Sequence, residues 1–114
     1  MMARRGDLFW IDWEPARGVE QKGHRPGLVV QNDVGNRSSK ATVVVAISTS
    51  APVRPFPFVV SLSSGEGGLK RASHVNCSQL LTVDQSRLLE KIGSLGAERM
   101  RDVDRALAYE LGLR

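Results

Sequence analysis

The chemistry in this chain is concentrated in the run Glu20-Gln21-Lys22-Gly23-His24-Arg25-Pro26-Gly27-Leu28-Val29-Val30. A carboxylate, an imidazole and a guanidinium stand close together just ahead of a β-branched apolar strand. Carboxylates and imidazoles exchange protons, and a guanidinium is a permanent cation whose planar fork fits the paired oxygens of a phosphate. Pro26 fixes its own φ and biases Arg25 towards extended backbone, so the loop ends and the strand starts at a defined point. Gly23 supplies a position that turns sharply at little steric cost. Ionisable groups therefore gather where a loop meets a rigid strand, a usual place for a site. Taken alone, the same residues fit an ordinary charged loop equally well.

Those groups must be held by short strands. Asp7 to Trp13 reads as an aromatic-rich strand, followed by a turn over Glu14 to Gly18 and a loop to His24. Pro26 to Gln31 is a second strand, ended by the Asn32-Asp33-Val34-Gly35-Asn36 turn cluster. Ala41 to Ile47 is apolar enough for a strand buried on both faces. Ser48 to Pro57 is polar and then proline-rich, hence irregular; Phe58 to Leu62 is a strand and Ser63 to Gly68 a turn. Leu69 to Arg71 and His74 to Leu81 are extended pieces. Between Thr82 and Gly93 two readings stay open: Asp84 capping a helix, or a strand over Leu88 to Leu95.

From Gly96 or Ala97 to Leu111 the period changes to that of a helix. Met100, Val103, Leu107 and Leu111 fall on one face, Glu98 sits in the first turn and Gly112 ends it. Short antiparallel strands with one C-terminal amphipathic helix predict a β-rich α+β protein, a small twisted barrel with the helix packed on it.

Composition narrows the class further. A chain of 114 residues fits a single domain, 1–114, that builds a core without disulfide or metal staples. No apolar run approaches the roughly 20 residues needed to cross a bilayer, which argues against a membrane partner. The start, Met1 to Arg5, has no signal-peptide apolar region, and Cys77 stands alone, which suits a reducing cytoplasm. Cys77 reads as a small core filler beside Val75. A net charge of +4 and a pI near 9.8 favour a polyanionic partner, nucleic acid first. Neither His24 nor His74 has a partner at metal-ligand spacing, so no metal site is expected.

Several blocks stand in order along the chain: Arg5-Gly6-Asp7; Gly18-x-Glu20-Gln21-x-Gly23-His24-Arg25-Pro26; Gln31-Asn32-Asp33-x-Gly35-Asn36-Arg37; Ser48-Thr49 at the polar end of the third strand; Gln79 to Leu81; and Thr82-Val83-Asp84. In these the chain resembles the MazF/PemK toxins, from about Arg5 to the end of the final helix. The resemblance implies an SH3-like barrel, a homodimer, and metal-independent, sequence-specific cleavage of single-stranded RNA without a cofactor. It also implies a cognate MazE-like antitoxin that blocks the RNA groove.

RNA carries its own nucleophile, the 2′-OH. Such an enzyme needs a base for that hydroxyl, charge stabilisation at the phosphorane and help for the departing 5′-oxygen. Arg25 is the phosphate ligand; with a pKa above about 12 it is a poor base. By analogy with the family its partner is a hydroxyl residue, usually threonine, at the end of the third strand. Here the matching position holds Ser48, with Thr49 next, and the choice between them stays open. Glu20 is the candidate base or the group that orients Arg25, against an Arg–Glu surface ion pair. His24, which alternation sends away from Arg25, is expected to contact RNA or to be structural. Gln21, Lys22 and Thr49 are further RNA-binding candidates, and Gln79 has an amide able to read a base edge. Lys22, Arg37, Arg54 and Lys70 are loop cations suited to phosphate.

Trp10 and Trp13 can stack on bases, but alternation along the first strand assigns them rather to the core and a dimer seam. His74 reads as a strand or interface histidine. Two other classes compete with the ribonuclease: a gyrase poison of the CcdB type on a related barrel, and a non-catalytic SH3-like RNA-binding module. The first depends on a tryptophan-containing C-terminal end, whereas this chain ends Leu111-Gly112-Leu113-Arg114. The second needs no pairing of Arg25 with Ser48.

Overall fold

A computed structural model describes residues 2–13 and 23–113. Six antiparallel strands form one sheet: β1 (Asp7–Asp12), β2 (His24–Val29), β3 (Ala41–Ser48), β4 (Val59–Leu62), β5 (Ser73–Asp84) and β6 (Leu88–Ser94), in the order β4-β5-β3-β2-β1-β6. Two α-helices accompany them, α1 (Asp33–Ser38) and α2 (Ala97–Glu110). The hydrogen-bonded ladder stays open, with β4 and β6 as its edges. The edges nonetheless meet where the short 3-10 turn Glu66–Gly68 lies against β6. A Cβ on Gly68 would come 2.4 Å from the Ile92 carbonyl oxygen, and one on Gly93 2.2 Å from that of Gly67. Glycines thus let two backbones touch and curl the sheet into the expected small barrel without a closing ladder.

The central strands are buried on both faces, as the apolar run of β3 predicts. Leu8, Leu28, Val45, Ile47, Val75 and Cys77 belong to the core under α2; Phe9, Ile11, Trp13, Val29, Val44 and Ala46 form a second core on the other face. Burial of Cys77 pushes its thiol up to about 12, so it is a packing residue and not a ready nucleophile. From α2, Met100, Val103 and Ala106 are buried and Leu107 packs at the margin, but Leu111 is exposed. The helix ends at Glu110 and Gly112 turns at φ +70°, so Leu111 has already left the apolar stripe.

Elsewhere the structure redraws boundaries. The expected turn at Asn32–Asn36 is a short helix, because the Asn32 side chain accepts the Gly35 N–H at 2.8 Å and caps it. Both readings of the Thr82–Gly93 stretch are realised: Asp84 caps the 3-10 turn Gln85–Arg87, and β6 follows. β5 runs on to Asp84 with a bulge between its Asn76 and Leu80 pairings, and Leu69 to Arg71 is not strand.

Candidate functional site

β2 opens with His24 and Arg25, both exposed, and its backbone there is tightly set. Gly27 carries no side chain because a Cβ would meet Ile11 Cδ1 at 2.4 Å and Trp13 Cζ2 at 3.0 Å. Trp13 fills that space, and its indole Nε1 donates to the Arg25 carbonyl at 3.1 Å while its backbone N–H donates to Gly23 at 2.9 Å. A buried ring therefore fixes where the guanidinium stem leaves the strand.

β2 pairs with β3 through Gly27↔Ala46, Leu28↔Val45 and Val29↔Val44. Continued by one two-residue step, that register sets Arg25 across from Ser48, and directly opposed residues of antiparallel strands share a face. Ser48 is the last residue of β3, half-buried, and its Oγ accepts the Ser50 N–H at 3.0 Å. On its other side Ser48 pairs with His74, whose Nδ1 lies 3.3 Å from Ser61 Oγ. Arg25, Ser48, His74 and Ser61 therefore form a polar row across four strands.

A concavity of about 410 Å³ opens here, lined by His24, Arg25, Ser48, Thr49, Ser50 and Trp10 among others. Arg25, Ser48, His24 and Thr49 are thus brought together. Gln79 is not: it falls within the β5 bulge, away from this lining. Glu20, Gln21 and Lys22 lie outside the described residues. Cation and hydroxyls converge on one open hollow, an arrangement able to hold a phosphodiester and stabilise negative charge on it. Among the described residues no group of three or more His, Cys, Asp or Glu could hold a metal ion.

Two features escaped the sequence reading. Trp13 is buried at 4% exposure, but Trp10 is 41% exposed and lines the hollow. Their spacing of three already places them on opposite faces of a strand, so only one can join the core. Ser73, 2% exposed with its Oγ donating to the Arg71 carbonyl at 2.9 Å, also lines the hollow; nothing in its sequence context marks it.

Comparison with known proteins gives a consistent result. Residues 4–111 match the model of the PemK-like, MazF-like toxins of type II toxin–antitoxin systems. The chain is 40% identical over 113 residues to endoribonuclease EndoA of Bacillus subtilis, covering 99% of this chain and 97% of the relative. Among solved structures it is similar to MazF from Deinococcus radiodurans, with a TM-score of 0.83 at 25% identity over 99% of each chain. A mycobacterial endoribonuclease in complex with its cognate antitoxin superposes with a TM-score of 0.82 at 25% identity, over 98% of this chain and 97% of that one.

Proposed function

We infer the function from one premise: the chain belongs to the PemK-like, MazF-like toxins of type II toxin–antitoxin systems. It is an endoribonuclease toxin of that kind. Its substrate is single-stranded RNA, cut at a short sequence word without a metal ion. The 2′-oxygen attacks phosphorus, the P–O5′ bond breaks, and the products carry a 2′,3′-cyclic phosphate and a 5′-hydroxyl. The proton leaves the 2′-OH for a base, and one is returned to the 5′-oxygen.

The observation that supports this reading is the register that sets Arg25 opposite Ser48 at the rim of an open hollow. The guanidinium fork meets two non-bridging oxygens and holds the charge that grows on them in the phosphorane. Ser48 donates a hydrogen bond to the same centre. Glu20 is the base, assigned from its sequence position. Thr49 and His24 contact the flanking RNA, as do Gln21 and Lys22. Gln79 can serve only RNA that crosses the β5 bulge.

The active form is a homodimer; Tyr109 at the end of α2, with Leu111 and Leu113 just beyond it, leaves exposed apolar groups for a second copy to cover. The partner is a MazE-like antitoxin whose acidic segment occupies the RNA groove, and the protein works in the cytoplasm. No helix among the described residues is long and apolar enough to cross a membrane.

The test is cleavage of a long transcript in excess chelator, with product ends mapped, beside a substrate 2′-deoxy at the cut position and a gyrase reaction. The expected result is chelator-resistant cutting of RNA alone, with cyclic-phosphate ends. Cutting of the 2′-deoxy substrate, loss of activity in chelator, or gyrase inhibition without RNA cleavage overturns the reading.

A further inference from the structure

The hollow at Arg25 does not end there. A second one, of about 460 Å³, shares Trp10, Pro26, Thr49 and Ser73 with it and runs on between β6 and the segment after the 3-10 turn. Its floor is the backbone contact of Gly67 and Gly68 with Ile92 and Gly93, closed by the buried Leu69. One wall carries Lys70 and Arg71, both exposed and, among the described residues, in no ion pair. The facing wall carries Glu90 and Lys91, and the Lys91 ammonium is already held 3.3 Å from Asp7. Trp10 stands where the two hollows meet, paired across the ladder with Pro26.

We propose that the two hollows form one channel for single-stranded RNA, with Trp10 as the stacking platform for a base beside the cut and Lys70 and Arg71 as the grip on the phosphates beyond it. The proposal rests on the ribonuclease reading and extends it to where the strand runs. The order of the walls sets the strand's orientation. Phosphates follow the unpaired cations, while Glu90 repels phosphate and accepts the exocyclic amino group of an adenine or cytosine. An indole face accepts any base, so Trp10 contributes affinity and a preference for unpaired strands, not a sequence word. Trp10 is thus a positioning residue, and chemistry stays with Arg25 and Ser48.

The test uses an uncleavable 2′-O-methyl oligoribonucleotide and tryptophan fluorescence. Trp13 is buried, so a change on binding reports Trp10, and Trp10→Phe abolishes the change while keeping binding. Trp10→Ala raises KM about tenfold with kcat nearly unchanged, and Trp10→Phe restores most of it. Lys70→Ala/Arg71→Ala lowers the slope of log affinity against log salt by about 1.4, from about 0.7 per phosphate contact on a single strand. An indole signal unmoved by RNA, or a salt slope unchanged in the double variant, while the wild type still cuts RNA through Arg25, overturns the channel and leaves the ribonuclease reading intact. A wild type that binds RNA with these signatures but never cuts it overturns the ribonuclease reading and supports the channel.

Discussion

Two polar regions of this molecule are built on opposite plans. At the β2–α1 corner Asn36 is 2% exposed and every atom of its amide is used. Its Nδ2 donates to the Gln31 carbonyl at 3.0 Å and to Asp33 Oδ1 at 3.1 Å; its Oδ1 accepts from Gln31 Nε2 at 2.9 Å and Thr42 Oγ1 at 2.6 Å. Gln85 closes the corner from outside, donating to the carbonyls of Asn36 and Ser39 and accepting the Ala3 N–H at 3.0 Å. The Arg5 N–H and the Asn36 amide also hold the Asp33 carboxyl below its ordinary range. At the barrel mouth, by contrast, Arg25, His24 and Thr49 are exposed around an open hollow. A satisfied buried network specifies structure, whereas exposed groups around a hollow are accessible to a ligand. The block Gln31-Asn32-Asp33-x-Gly35-Asn36 is therefore scaffold, although it stands in sequence beside the site.

The contrast is broken most directly by removing one group from each region. Arg25→Ala is expected to lower kcat/KM on RNA by about a hundredfold or more, the scale of one lost transition-state donor, with Tm unchanged. A variant that keeps more than about a tenth of the rate removes Arg25 from the mechanism. Arg25→Lys stays poor, since a point charge does not copy the fork.

Asn36→Ala should do the reverse. It leaves the fully buried Thr42 hydroxyl without its partner and the Gln31 amide with only its bond to the Ala41 carbonyl, a loss of about 2–3 kcal/mol that denaturant melts will show. Activity per folded molecule should stay within about twofold, measured well below the melting range. A catalytic defect without a stability defect would make this corner part of the site.

What the sequence made legible follows the same division. Strand positions, the double burial of β3 and the helix at α2 were readable because they rest on apolar period, which acts locally. The meeting of Arg25 and Ser48 was readable only through resemblance, since register between strands leaves no trace in either strand alone. The short helix α1 was missed because its capping partners, Asn32 and Gly35, are also turn residues. Alternation separates Trp13 in the core from Trp10 outside it, but it does not say that Trp10 lines the hollow at Arg25, because that hollow is formed by segments distant in sequence. The second hollow was invisible, because it depends on Gly67 and Gly68 touching β6, a contact between distant segments.

The choice of hydroxyl sharpens the picture at the mouth. Alternation sets Ser48 on the face of Arg25, while Thr49 follows the strand's end. Ser48→Ala is expected to lower kcat about tenfold or more and Thr49→Ala less than threefold, a difference of roughly 1 kcal/mol in barrier. The opposite ranking in single-turnover rates would shift the register by one residue and give Thr49 the role.

The smallest effect belongs to a polar contact intermediate between the two plans. Glu66, in the 3-10 turn that floors the second hollow, meets Arg99 of α2 in a two-pronged pair, Nε to Oε2 at 2.5 Å and Nη2 to Oε1 at 3.1 Å. Its side chain is 24% exposed and that of Arg99 33%, so water screens much of the attraction. The Arg99 hydrogen bonds hold the Glu66 carboxyl below its ordinary value of 4.5. A carboxyl lowered by folding stabilises the fold above its unfolded value, and that contribution is lost as pH falls through the folded value. Glu66→Gln should therefore cost about 0.5–1 kcal/mol at pH 7, a few degrees of Tm. Wild type and variant should then converge in stability only once pH has fallen below the lowered folded value of Glu66, where both side chains are neutral. A gap that persists into acid would mean that the pair works through shape and packing between the turn and α2. In that case this contact belongs with the Asn36 corner and not with an ordinary surface ion pair.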